Sequence, residues 1–138
     1  MTDLTSLEAS VLEKLLDGDN PTLVRLRSQL KALKVRDRRF TGVGFFTDFF
    51  VEGESARLPG APSFRLSDVH AAIDGLRRGT GFMLAIDGGL IRSLECFTYE
   101  ERWPDKIESF SLKYILANGL SDSRDMEGVC ARIGSQTF

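Results

Sequence analysis

Phe40-Thr41-Gly42-Val43-Gly44-Phe45-Phe46-Thr47-Asp48-Phe49-Phe50-Val51 is the stretch on which the fold turns, and it holds five of the ten phenylalanines. Its pattern reads as the central strand of an antiparallel sheet. Side chains alternate across a strand, so Val43, Phe45, Thr47, Phe49 and Val51 fall on one face. Phe40, Phe46 and Phe50 fall on the other, with Gly42, Gly44 and Asp48. One apolar face can pack on helices. The other needs a second cover: more protein, a partner or a ligand. Gly42 and Gly44 weaken a strand unless a bulge, a bend or the close approach of another backbone calls for them. The Gly-Val-Gly run is no phosphate loop, because no Lys-Ser or Lys-Thr pair follows it.

Upstream, residues 6–17 read as a helix. Thr5 can cap it and Glu8, three residues on, completes a capping box. Leu7, Val11, Leu12, Leu15 and Leu16 form its apolar stripe. Gly18 stops it, and Asn20-Pro21 starts a second helix whose stripe is Leu23, Leu26, Leu30 and Leu33. The short connection implies an antiparallel helical pair. From Arg25 to Arg39 the outer side is basic, with Arg25, Lys31, Arg36, Arg38 and Arg39 as an anion or acidic-partner patch. The plain alternative is a solvated face with cations near a helix C-terminus, where the dipole favours them.

Downstream, Glu52 to Pro62 is a loop. Residues 67–78 fit a helix (Val69, Ala72, Ile73, Leu76) or a strand (Val69, Ala71, Ile73), and the hairpin that follows favours the strand. That hairpin pairs Gly81–Ile86 with Leu90–Tyr99 across the tight turn Asp87-Gly88-Gly89. Residues 109–116 alternate as a last strand. Met126, Val129 and Ile133 give the tail a weak helical stripe. Helices first and strands afterwards is an α+β order. The expected architecture is a helical pair packed on an antiparallel sheet of four to five strands, in a single domain over 1–138. Within it 1–34 would be the helical hairpin, 35–116 the sheet, and 117–138 a tail, short helix or disordered.

Composition sets outer limits. Net charge is -2 and the pI about 5.4, which argues against bulk electrostatic binding to nucleic acid or an anionic membrane. No apolar run approaches the roughly 20 residues of a membrane helix. The start of the chain has no basic or apolar signal segment, so a cytoplasmic protein is expected. Cys96 and Cys130 read as reduced thiols buried as small hydrophobes, without metal or disulfide spacing. A single histidine excludes a multi-histidine metal site, and nothing in the sequence asks for a cofactor.

Few residues could carry chemistry. His70 and Asp68 lie two apart and could form a histidine–carboxylate general base. Asp48 sits between Phe46 and Phe50 and must be exposed, hydrogen-bonded or paired, for instance with Arg92. Tyr99 and Trp103, with Glu95, Glu100 and Glu101, make an acidic–aromatic cluster at one end of the sheet, and such aromatics are enriched at interaction surfaces.

Three pieces, the FTGVGFFTDFFV block, the GTGFMLAIDGGLIRSLECFTY hairpin and the EERWP that ends it, resemble a family of small stand-alone uncharacterised bacterial proteins of about this length. The resemblance covers residues 4–114. It implies a stand-alone cytosolic role and brings no catalytic residues.

The sequence therefore points to a non-enzymatic binding or interaction protein. It would present Phe46, Asp48, Phe50, Tyr99 and Trp103 to a second copy of itself or, in an immunity or accessory role, to another protein. The alternative is a small hydrolase or isomerase using His70 and Asp68 in a sheet-lined pocket. Nucleic-acid binding through 25–39 is disfavoured by the acidic pI and by the absence of an aromatic residue inside that segment.

Overall fold

The capping box at Thr5 forms as the sequence implies. Thr5 Oγ1 accepts from Glu8 N at 3.1 Å and Glu8 Oε1 accepts from Thr5 N at 2.8 Å. It opens α1, Ser6–Leu15. Asn20 Oδ1 caps α2, Pro21–Gln29, whose first position is the proline. In the computed structural model, residues 3–53 and 56–134 are described. Met1 and Thr2 at the chain start, Glu54 and Ser55 of the 52–62 loop, and tail residues 135–138 lie outside them.

The chain is α+β, and the described residues form three helices and a large antiparallel sheet of eight strands. The strands are β1 Leu33–Phe40, β2 Gly44–Val51, β3 Phe64–Leu66, β4 Val69–Ile73, β5 Thr80–Asp87, β6 Leu90–Thr98, β7 Phe110–Leu116 and β8 Gly119–Ser121, followed by α3, Met126–Gly134. Their order is β1-β2-β6-β5-β4-β7-β8, with β3 pairing β5 beside β4.

Four expectations change. The sheet has eight strands, not four to five. The helical stripe through Leu30 and Leu33 does not continue: α2 ends at Gln29, a 3-10 turn spans Leu30–Ala32, and Leu33 opens a strand. There the period switches to two, with Leu33 and Val35 inward and Lys34 outward. A longer helix would have left one side of β2 without a ladder. The phenylalanine-rich stretch is a hairpin rather than one strand. Phe40 ends β1, Gly42 turns the chain at φ +90°, and β2 lies second from the edge. The tail forms the short helix α3, one of the two alternatives expected for it, and also adds a strand, β8, that was not expected. Residues 69–73 are a strand, which resolves the ambiguity over 67–78.

All three helices lie on the face formed by Leu33, Val35, Phe45, Thr47, Phe49, Val51, Leu84, Leu94 and Tyr114, and this is where the core sits. Gln29, fully buried, ties α2 to the β5–β6 turn. Its Nε2 donates to Gly89 O and Ala56 O, and its Oε1 accepts from Ile91 N, each at 2.9 Å. Arg124, 4% exposed, holds the start of α3. It makes a bidentate pair with Asp68 at 2.8 and 2.9 Å and donates to Asp17 O at 2.7 Å.

Glu8 has no solvent exposure. Its carboxylate receives Arg38 Nε at 2.9 Å, Arg38 Nη2 at 2.5 Å and Thr47 Oγ1 at 2.5 Å, besides Thr5 N. Burial pushes its pKa up, but these donors and the Arg38 charge together hold it below the ordinary 4.5. A carboxyl depressed on folding contributes stability that is complete above the unfolded value and is lost as pH falls through the folded one. Replacing Glu8 by Gln leaves the Arg38 cation buried without its partner, which is expected to cost about 3 kcal/mol near neutral pH. The gap in Tm between wild type and Glu8→Gln, followed by circular dichroism, should narrow as pH is lowered below the ordinary carboxyl value of 4.5 and wild-type Glu8 becomes protonated. A gap independent of pH would contradict the assignment.

Candidate functional site

With the helices on one side, the other face of the sheet is uncovered by any described element. The ladder registers define its rows. Arg39, Phe46, Glu95 and Met83 lie side by side across β1, β2, β6 and β5. Next to them run Gly44, Phe97, Gly81, His70 and Lys113. On the other side run Asp37, Asp48, Ser93 and Ala85. Phe50, opposite Lys34, is 41% exposed.

The glycines explain how this face is built. A Cβ at Gly44 would stand 1.9 Å from Cys96 O, so β2 and β6 can approach only because the residue is glycine. At Gly81 a Cβ would meet the Phe97 ring and the Tyr99 hydroxyl at 2.8 Å. These two aromatics therefore lie down over the β5 backbone. Phe97 meets Tyr99 edge-on at 6.0 Å, and Tyr99 stacks on His70 at 6.4 Å and 18°. Burial beneath these neighbours raises the Tyr99 hydroxyl pKa.

The charges of the face are arranged in bands. Arg39 stands over the Phe46 ring at 5.3 Å and Arg36 over the Phe50 ring at 5.4 Å, both from the edge strand β1. Asp48 and Glu95 follow one and two strands inward. Among the described residues Asp48 makes no ion pair with Arg92, which instead reaches Asp87 at 3.9 Å.

The structure separates other residues that the sequence grouped. His70 Nε2 lies 2.9 Å from Arg78 O and lines a broad cleft of about 580 Å³, while Asp68 is taken by Arg124 and lines a different one. No hydrogen bond joins them, so the histidine–carboxylate dyad is not assembled. Asp68 falls at the break between β3 and β4, outside the strand alternation that would have put it beside His70. Tyr99 is on the open face, whereas Trp103 packs edge-on against Phe45 at 5.4 Å on the helix side. Glu101 leaves that cluster to accept from Arg77 N and Arg78 N, which hold its carboxyl below the usual range. The basic run is divided as well. Arg38 turns inward to Glu8, Arg25 donates to Arg57 O, Lys31 is exposed on the 3-10 turn, and Arg36 and Arg39 reach the open face together with Lys34.

Met83 and Phe97 belong to the face although the sequence did not single them out as site residues. The signal was the alternation of the β5–β6 hairpin, whose sidedness is fixed only by its register with β2. Among the described residues no group of three or more His, Cys, Asp or Glu could hold a metal ion, and no helix is long and apolar enough to cross a membrane.

The chain matches no known family, no curated protein and no solved structure. The functional reading rests on the geometry of this face.

Thiol chemistry has one buried and one exposed candidate. Cys96 Sγ sits 3.3 Å from Thr80 Oγ1, and burial pushes its pKa up to about 12. Cys130 is exposed. A chromogenic disulfide reagent near pH 8 should label one thiol per native chain, lost in Cys130→Ser, and two after denaturation. Rapid labelling of native Cys96 would show that it is not held in the core.

Proposed function

We propose that the chain is a non-enzymatic interaction protein that uses its uncovered sheet face, centred on Phe46, Asp48, Phe50, Glu95 and Phe97, to bind a second copy of itself. The observation that carries this reading is an aromatic sheet face left open while all three helices cover the other side. Contiguous exposed apolar surface on a protein of this size marks a binding surface. The charge bands favour a like partner. In a twofold contact the same patch meets itself. An axis near β2 would then lay the Arg36–Arg39 edge of one copy against Asp48 and Glu95 of the other. The arginines add to this as broad, weakly hydrated contact groups. An immunity or accessory role, in which the same face masks a different protein, is the second occupant to test.

Side-on pairing through the edge strands is a weaker alternative. The edge strand β1 carries Lys34, Arg36 and Arg39, and β8 at the other edge has three residues. Charged and very short edges resist strand addition. The contact is therefore placed face to face.

Light scattering on wild type, Phe46→Asp and Glu95→Arg tests the reading. The wild type is expected at twice the 15.4 kDa chain mass. Both variants should be folded monomers with Tm within about 5 °C of wild type, since the substituted side chains lie outside the core. A monomeric wild type overturns self-association. Unfolding of Phe46→Asp would return that ring to the core and remove the surface.

A further inference from the structure

The β1–β2 hairpin carries Phe40 onto the helix side of the sheet, because Phe40 pairs with Phe45 across the ladder and paired residues share a face. Alternation along a single strand would set it on the open face with Phe46 and Phe50. Its ring is nonetheless 69% exposed, the highest value for a large apolar side chain among the described residues. It lines a cavity of about 290 Å³ between β1, the start of α1 and the segment 103–107.

Two further rings line the same cavity. Phe45 meets Phe40 at 5.9 Å and 52°, and Trp103 meets Phe45 at 5.4 Å and 79°. Rings at such steep mutual angles wall a space instead of stacking it shut. The backbone holds Trp103 there. Its N–H donates to Gly42 O at 2.8 Å, and Thr98 N donates to Val43 O at 2.8 Å, which ties the end of β6 and the segment after it to the β1–β2 turn. Pro104 confines Trp103 to extended conformations. Among the described residues two charged side chains line the cavity, Arg38 and Asp105. Arg38 is already neutralised, since its Nε and Nη2 both donate to the Glu8 carboxylate. Asp105 is exposed and makes no hydrogen bond or ion pair among the described residues. The uncompensated charge at this cavity is therefore negative.

We propose that this cavity binds a small organic cation of the quaternary ammonium class, with Phe40, Phe45 and Trp103 as an aromatic cage and Asp105 as the counter-charge at its rim. The face of an aromatic ring is the negative part of its quadrupole, and several rings around one space attract a weakly hydrated cation. A primary ammonium would bring three N–H donors into walls of ring and aliphatic carbon that offer them few acceptors. A quaternary ammonium has no donor to satisfy. An anion is disfavoured, because the guanidinium at this cavity is committed to Glu8 and Asp105 repels a second negative charge. The volume, at the lower end for ligand pockets, suits a small molecule. The site is independent of self-association, since it lies on the helix side of the sheet and shares no residue with the face centred on Phe46 and Glu95.

Trp103 is the single tryptophan of the chain, so its fluorescence and its indole N–H resonance report on the cavity directly. The test is titration of the full chain with choline chloride, with sodium chloride at matched ionic strength as the blank. The comparison ligand is the uncharged counterpart of choline that carries a tert-butyl group in place of trimethylammonium. Choline should shift the Trp103 signals saturably, and the uncharged counterpart should bind at least about fivefold more weakly. Phe40→Ala should weaken choline binding at least about fivefold and Asp105→Asn about threefold, while Phe46→Ala, on the open face, should leave it unchanged. Phe40 and Asp105 are both exposed, so their variants keep the fold. Absence of a saturable shift with choline overturns the site. Equal affinity for the uncharged counterpart overturns the cation assignment in favour of a purely apolar ligand. A loss in Phe46→Ala equal to that in Phe40→Ala overturns the placement by moving the binding to the open face.

Discussion

Glu8 is a carboxylate with no access to water, and four donors aim at it. An unpaired charge there would be far too costly to keep, so each donor is a constraint on geometry as much as a source of stability. Thr5 N fixes the first turn of α1. Arg38 fixes β1 to that turn, and Thr47 does the same for β2. One side chain therefore sets the angle of the first helix against the first hairpin. It also sets the sidedness of β1, because drawing Arg38 inward sends Arg39 outward. The cationic border of the open face follows from the anion in the core.

The same logic recurs at two other junctions. Gln29 satisfies two backbone groups at the β5–β6 turn and Ala56 O of the loop after β2, and joins α2 to the middle of the sheet. Arg124 satisfies Asp68 and Asp17 O while lying over the Tyr114 ring at 5.1 Å. Each buried polar side chain sits where two elements of distant sequence meet. Leucine and phenylalanine fill the space between helices and sheet, but they would tolerate sliding. The buried polar groups do not, since a small slip breaks directional hydrogen bonds.

Much of this was legible in the sequence. The capping box, the proline start of α2, the inward set Phe45, Thr47, Phe49 and Val51, and the β5–β6 hairpin all follow from local rules acting on neighbouring residues. What escaped reading depended on partners far along the chain. LKVRDRRF has the charge of a solvated helix end and becomes a strand because β2 returns beside it. Ser67-Asp68 breaks β3 from β4, and only the presence of Arg124 gives Asp68 its role. The register shifts at Arg36 on β1 and Arg92 on β6 have no signature of their own, because an inserted residue shows only against its partner strand. Glu8 was the nearest miss. It stands in the apolar stripe of α1, one position from Leu7 and four from Leu12, and a carboxylate in that position needs a buried cation.

The strand order also shapes how the chain can be assembled. β1 and β2 form an early local hairpin, yet the other side of β2 is closed by β6, where Phe46 meets Glu95. Until β6 has been made, β2 presents a bare ladder rich in phenylalanine. Contacts of such long sequence separation slow folding, and an unfilled strand edge invites the wrong partner in the meantime. Arginines crowded around such a hairpin are of the kind that discourages wrong pairing through like-charge repulsion. Their positions on β1, beside a phenylalanine-rich strand, are those that gatekeeper residues take.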